Sequence, residues 1–309
     1  MRSQPMCGSC SCPARPDNKP PSLHLRGREA IPNGSKPDVH SGRQAYHHQE
    51  GVTSMLFDTH THLDNEAFDA DREEIIARAY EQGVTRMVNV GFNRETIPTT
   101  MALAEKYDFI YAAVGWHPTD AVTMKPEDMQ WLGDLTQHEK VVAIGEIGLD
   151  YHWDTSPKDV QQRVFREQIG LARELKLPII IHNREAHEDV VRILREEKAG
   201  EVGGIMHSFS GSWETAKMCL DMGFYISFGG PITFKNAKQP KEVLVRIPND
   251  RLLVETDSPY LTPHPFRGKR NESSYVRLVA EAAAELKGME FEEICRMTTE
   301  NALTCFDIR

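Results

Sequence analysis

Eight short runs of almost unbroken apolar residues, each followed by a longer amphipathic segment, restrict this chain to very few architectures. The runs are LFDTH (56–60), RMVNVG (86–91), FIYAAVG (109–115), VVAIGE (141–146), PIIIH (178–182), GGIMH (203–207), FYISFG (224–229) and RLLVET (251–256). Strands that lack polar alternation are buried on both faces, as in parallel sheets covered by helices. Between them the helical period takes over. DREEIIARAYEQG (71–83) puts Ile75, Ile76 and Ala79 on one face and Gly83 at its end. VFREQIGLARELK (164–176), HEDVVRILREE (187–197) and SYVRLVAEAAAELK (274–287) read the same way. Eight strand–helix units predict an α/β fold of the closed (β/α)8 TIM-barrel type. The alternative is an open, doubly wound sheet, but no G-x-G-x-x-G turn follows the first run.

The pattern begins at Met55. Residues 1–54 hold seven prolines and five glycines, few apolar residues and no period. Such a segment cannot bury enough apolar area to offset the entropy of ordering it. A disordered N-terminal extension is therefore expected, followed by one barrel domain over 55–309, with Met55 a candidate initiator. The extension carries seven Lys/Arg against four Asp/Glu; the whole chain is at −10, which leaves −13 on the remainder. So acidic a body does not coat nucleic acid along its length. Contact with DNA would be confined to a strand end held in a cleft.

Cys7, Cys10 and Cys12 crowd the extension, while Cys219, Cys295 and Cys305 stand far apart, which is no disulfide framework. The C-x-x-C-x-C of the extension has no second ligand pair at zinc-finger spacing. No apolar run reaches membrane-spanning length. The start lacks a charged-then-apolar signal layout, so a cytoplasmic setting, and by default a monomer, is expected.

The polar residues at the strand ends carry the chemistry. Run one ends in His60 and His62, run four in Glu146, run five in His182, run six in His207, and run eight in Glu255 and Asp257. In a parallel barrel the C-terminal strand ends form one mouth. His60 and His62, two apart on an extended chain, face the same way. Taken singly, each residue has a plainer use: a strand-end histidine satisfied by backbone, Asp257 as a cap before Ser258-Pro259, Glu146 as a loop acid. Five strands delivering such groups to one level point instead to divalent metal. Four histidines with two acids exceed one tetrahedral site and suit two ions sharing a carboxylate.

With those residues in place, the chain resembles the TatD-type metal-dependent deoxyribonucleases of the amidohydrolase superfamily. The matching motifs are FDTHTHLD (57–64), GWHP (115–118), GEIGLDY (145–151), IHNRE (181–185), HSFSG (207–211), SFGGPITF (227–234), ETDSPYL (255–261) and HPFRGKRNES (264–273). The resemblance implies a barrel with two or three divalent ions (Mg²⁺, Mn²⁺ or Zn²⁺) that cleaves phosphodiester bonds of DNA, as a 3′–5′ exonuclease on single-stranded ends. By position it implies His60, His62 and Asp257 on the first ion, Glu146 bridging, and His182 and His207 on the second. Glu146 stands where related hydrolases place a carboxylated lysine. Two positions depart from the family pattern: Ser208 replaces a cysteine, and Ser273 replaces a proline whose loss would loosen the loop around Asn271.

Asp257 is the expected general base toward a metal-activated water. Glu255 would tune the site or hold a third ion, or else pair with a nearby base. Substrate contacts are expected from His117, from Arg184, from Arg267 with Lys269 and Arg270, and from Asn271. Trp116 and Phe266 could stack on bases or simply pack. Two alternatives remain open. One is ester or amide cleavage, such as deacylation of D-aminoacyl-tRNA, which the same ligands would serve. The other is a non-catalytic metal-binding scaffold, which would lack a ligand, and none is lacking.

Overall fold

The computed structural model describes residues 55–309; the expected disordered extension lies outside the described residues. Eight strands form one parallel sheet in chain order. They are β1 (Leu56–Thr61), β2 (Val84–Gly91), β3 (Ile110–Val114), β4 (Val141–Asp150), β5 (Ile179–Arg184), β6 (Gly204–Met206), β7 (Tyr225–Phe228) and β8 (Leu252–Val254). The helices between them are α1 (Arg72–Glu81), α2 (Thr96–Lys106), α3 (Pro126–Leu135), α4 (Lys158–Leu175), α5 (His187–Glu196), α6 (Trp213–Asp221) and α7 (Lys238–Arg246). α8 (Val276–Lys287) and α9 (Phe291–Phe306) close the chain. This is the TIM barrel that the eight apolar runs predict.

The apolar residues divide into two layers. Phe57, Val88, Val90, Ala113, Ala143, Ile180, Ile205 and Leu253 form a buried cluster of their own, joined by Ala302 and Phe306 of α9. The Phe57 and Phe306 rings lie 5.9 Å apart, so α9 packs against the same cluster as the first strand. The larger cluster, including Ile75, Ile76, Val164, Phe165, Ile193 and Leu194, joins helices to strands. Burying one such side chain contributes roughly 1.5–3 kcal/mol, which explains why the strands tolerate no alternation.

β1 and β8 meet at a polar seam rather than a long ladder. Thr61 and Ser258 form a parallel bridge, the His62 N–H donates to Ser258 O (2.8 Å), and the Asp257 N–H donates to His60 O (2.9 Å). The buried Asp58 carboxylate accepts from the Thr256 N–H (2.9 Å) and hydroxyl (2.6 Å). Desolvation raises its pKa to about 7 despite those bonds. Ser273, expected to loosen its loop, instead places its hydroxyl 3.2 Å from that of Thr61 and is buried. The serine thus fastens this loop to β1.

Element bounds shift in one place that matters. The fourth run was expected to end at Glu146, but β4 continues to Asp150. Its pairing with β5 slips between Ile144 and Ile147, as β1 slips against β2 between Asp58 and Thr61. Such irregularities re-aim side chains, and Glu146 and His60 sit inside them. α4 also begins six residues before the expected start, at Lys158, because its first turn is polar.

Candidate metal centre

His60 and His62 converge on one point at the mouth. Their Nε2 atoms are 3.2 Å apart. Glu146 Oε2 lies 3.3 Å from the first and 3.9 Å from the second; Asp257 Oδ1 lies 3.8 and 3.4 Å away. Four ligand atoms around a tetrahedral ion at about 2.0–2.1 Å are separated by roughly 3.3 Å. The spacing of the His60, His62 and Asp257 atoms therefore fits an ion between them.

The other oxygen of Glu146 faces a second histidine pair. Oε1 is 2.6 Å from His182 Nδ1 and 2.7 Å from His207 Nε2. His117 Nε2 stands 3.6 Å from the same oxygen. Three overlapping groups result: His60, His62 and Asp257; His60, Glu146 and His207; and His117, Glu146 and His182. His117, expected as a substrate contact, thus stands among the candidate ligands.

The far side of three of the rings explains which nitrogen faces the centre. His62 Nδ1 lies 3.1 Å from Val90 O, His207 Nδ1 lies 3.3 Å from Glu255 Oε1, and His182 Nε2 lies 2.9 Å from Asp150 Oδ2. A ligand histidine donates its remote N–H in this manner, which fixes ring and tautomer. Glu255 is fully buried behind His207 and also accepts from the Ser208 N–H (2.7 Å). It orients a candidate ligand and does not face the cavity. His60 Nδ1 and Glu255 Oε2 are buried without a partner among the described residues.

Electrostatics agree. Burial alone would raise the Glu146 pKa, yet the facing His207 and His117 hold it well below the usual carboxylate range. Asp257 is likewise lowered against its burial, chiefly by the His62 contact. Burial would lower His207, but Glu146 and Glu255 push it well above the ordinary imidazole value. The acids of the centre are thus held ionised by the imidazoles that face them.

Above this centre opens a cavity of about 740 Å³, lined among others by Phe92, His117, Trp153, Arg184, Phe209, Ile232, Asp257 and Tyr260. Arg184 reaches it as expected. His117 lines it too, whereas Arg267, Lys269, Arg270 and Asn271 do not. Asn271 is fully buried, and its Nδ2 donates to Thr256 O (2.9 Å) and Tyr260 O (2.6 Å) while its Oδ1 accepts from the Glu272 N–H (2.9 Å). With its bonds committed to its own loop, Asn271 shapes the mouth and does not touch what enters. Arg270 pairs with Asp71, and Arg267 lies over the Phe234 ring, outside the cavity lining. Trp116 is buried packing, and Phe266 stacks on Tyr275 at 4.8 Å.

Three residues at the site carried no expected role. Asp150 follows Glu146 by four on a strand, an even spacing that would have put both on one side had the strand been carried that far. Trp153 and Tyr260 are exposed aromatics within otherwise polar loops, and that exposure is visible only in three dimensions.

Comparison with known proteins points to one family. The family model described as TatD related DNase matches residues 57–307. The uncharacterized metal-dependent hydrolase YabD of Bacillus subtilis is 66% identical over 254 residues, covering 82% of this chain and 100% of that protein. The 3′-5′ ssDNA/RNA exonuclease TatD of Salmonella typhimurium is 34% identical over 258 residues, covering 82% of this chain and 99% of its own. The crystal structure of YJJV, a TatD homologue from Escherichia coli K12, superposes with a TM-score of 0.78 at 32% identity, covering 83% of this chain and 100% of that one.

Proposed function

This chain belongs to the TatD-related family of metal-dependent hydrolases, and from that premise we propose that it removes nucleotides from the 3′ end of single-stranded DNA by hydrolysing phosphodiester bonds. The observation that carries the reading is the divided carboxylate of Glu146, one oxygen toward His60 and His62 and the other toward His182 and His207. Such an arrangement would suit two ions sharing a carboxylate, a device used for phosphoryl displacement. His60, His62 and Asp257 would hold the first and His182 and His207 the second, with His117 available to a third. Bound there, divalent ions would neutralise the phosphoryl oxygens and acidify a water.

The chain's own groups do the rest. Asp257, held ionised beside His62 and open to the cavity, takes the proton from the attacking water. Glu255 and Asp150 keep His207 and His182 turned toward the centre. The cavity is of the size that encloses a small ligand, which suits a strand end rather than an uninterrupted duplex. The exonuclease named among the relatives supports nucleic acid over other esters.

The test is digestion of end-labelled oligonucleotides by wild type and by Glu146→Ala and His182→Ala. Chelation should abolish shortening from the 3′ end, at least one of Mg²⁺, Mn²⁺ and Zn²⁺ should restore it, and both variants should lose most activity. Full activity of either variant overturns the bridged assignment. Cleavage of D-aminoacyl-tRNA with none of DNA moves the substrate to the carbonyl esters.

A further inference from the structure

The mouth carries an exposed aromatic surface that the metal centre does not use. Trp153 is 53% exposed, Tyr260 51% and Leu261 40%, and all three line the cavity. Large apolar side chains gathered at a cavity rim mark a surface that meets a ligand. Trp153 follows β4 and Tyr260 follows β8, four strands apart around an eight-stranded barrel. They therefore flank the metal centre from opposite sides of the mouth.

Trp153 is not merely left in solvent. Its backbone N–H donates to Asp150 Oδ1 (3.0 Å), and the other oxygen of that carboxylate holds His182. The His152 ring stands edge-on to the indole at 4.9 Å, and His152 Nδ1 lies 2.8 Å from Glu185 Oε1. One buried carboxylate thus fixes the indole loop relative to a candidate ligand. The Arg184 guanidinium is 5.6 Å from the indole ring. Among the described residues it is the one Lys or Arg in the cavity lining, and no ion pair engages it. In so acidic a body, an arginine with no carboxylate partner at the mouth is suited to an anion.

We propose that Trp153 and Arg184 form a nucleotide subsite beside the metal centre, the indole stacking on an unpaired base and the guanidinium pairing with the phosphate next to it. The subsite rests on the phosphodiesterase reading above and adds to it the source of strand selectivity. A base paired in a duplex has no free face to offer Trp153, whereas a base at a frayed or single-stranded end does. Stacking is tolerant of base identity, so the subsite selects strand state and not sequence.

The test is steady-state kinetics of wild type, Trp153→Ala, Trp153→Phe and Arg184→Ala. The substrates are a 5′-labelled single-stranded oligonucleotide and the same oligonucleotide with an abasic 3′-terminal dinucleotide. Trp153→Ala should raise KM by about 5- to 150-fold on the normal strand, the range expected for one lost stack, and the loss should fall on KM rather than kcat. Trp153→Phe should recover most of it. Wild type should suffer a similar loss on the abasic strand, where Trp153→Ala should add little. Arg184→Ala should raise KM on both strands alike.

A Trp153→Ala enzyme with unchanged KM, or one equally impaired on normal and abasic strands, overturns the subsite alone. A metal-loaded wild type that shortens neither strand overturns the phosphodiesterase reading and the subsite with it.

Discussion

Asp150 Oδ2 lies 2.9 Å from His182 Nε2, so the imidazole must present its other nitrogen, Nδ1, to Glu146. Burial alone would raise Asp150, but the His182 contact and the N–H groups of Trp153 and His152 lower its pKa to about 2. An ionised acceptor at this place holds the Nε2 proton and turns Nδ1 toward the centre. Asp150→Asn should weaken metal binding at the His182 side by roughly 10–100-fold, with the His60–His62 side retained. Calorimetric titration would show one weakened step and one unchanged; two unchanged steps would remove Asp150 from the centre.

Gly148 stands between Glu146 and Asp150 with φ +143°, and a Cβ there would fall 2.0 Å from His182 O. Only glycine accepts both the dihedral and the close approach of β5. Gly148→Ala should cost at least about 2 kcal/mol and lower activity beyond the loss of folded protein, because His182 must move. Gly170, inside α4 with open space around its Cα, is the control. Gly170→Ala should be neutral or stabilise by about 0.5–1 kcal/mol. Denaturant midpoints of the two variants measure the contrast.

Asn271→Ala would strip two carbonyls, Thr256 O and Tyr260 O, of their donor within a buried loop. A loss of about 2–3 kcal/mol in stability is expected. Thermal melting against substrate KM separates this role from direct contact: a normal melting temperature with a raised KM would return Asn271 to the substrate.

Arg78 donates two hydrogen bonds to Glu272, Nε at 2.8 Å and Nη2 at 2.7 Å. Burial would raise the Glu272 pKa, but Arg78 and the Ser274 hydroxyl hold it below the ordinary 4.5. A depressed carboxylate contributes stability that is fully present above its unfolded value and is lost as pH falls through the folded one. Glu272→Gln should therefore cost about 1–2 kcal/mol at pH 7 and nothing once wild-type Glu272 is itself protonated. Urea midpoints of the two proteins from pH 7 down to about 3 should converge; parallel curves would contradict the pairing.

Much of the site was legible before any coordinates. His60, His62, Glu146, His182, His207 and Asp257 stand at strand ends, and parallel topology brings strand ends to one mouth. Asp150 was hidden because strand four appeared complete at Glu146, and its continuation depends on pairing with β5, where Asp150 opposes Arg184. Asn271 and Arg270 read as substrate contacts because a polar loop near the mouth offers no local sign of burial. Their partners Thr256, Tyr260 and Asp71 lie 11 to 199 residues away.

The sequence by itself determined the barrel and which histidines and acids stand at its strand ends, because apolar periodicity reports burial and parallel topology brings strand ends to one mouth. Only the tertiary structure decided that Glu146 divides its oxygens between two histidine pairs and which nitrogen of each ring faces inward. It also decided that Trp153 and Arg184 remain open while Arg270 and Asn271 are consumed. Those outcomes rest on register slips and on hydrogen bonds between distant segments, and a one-dimensional pattern carries neither.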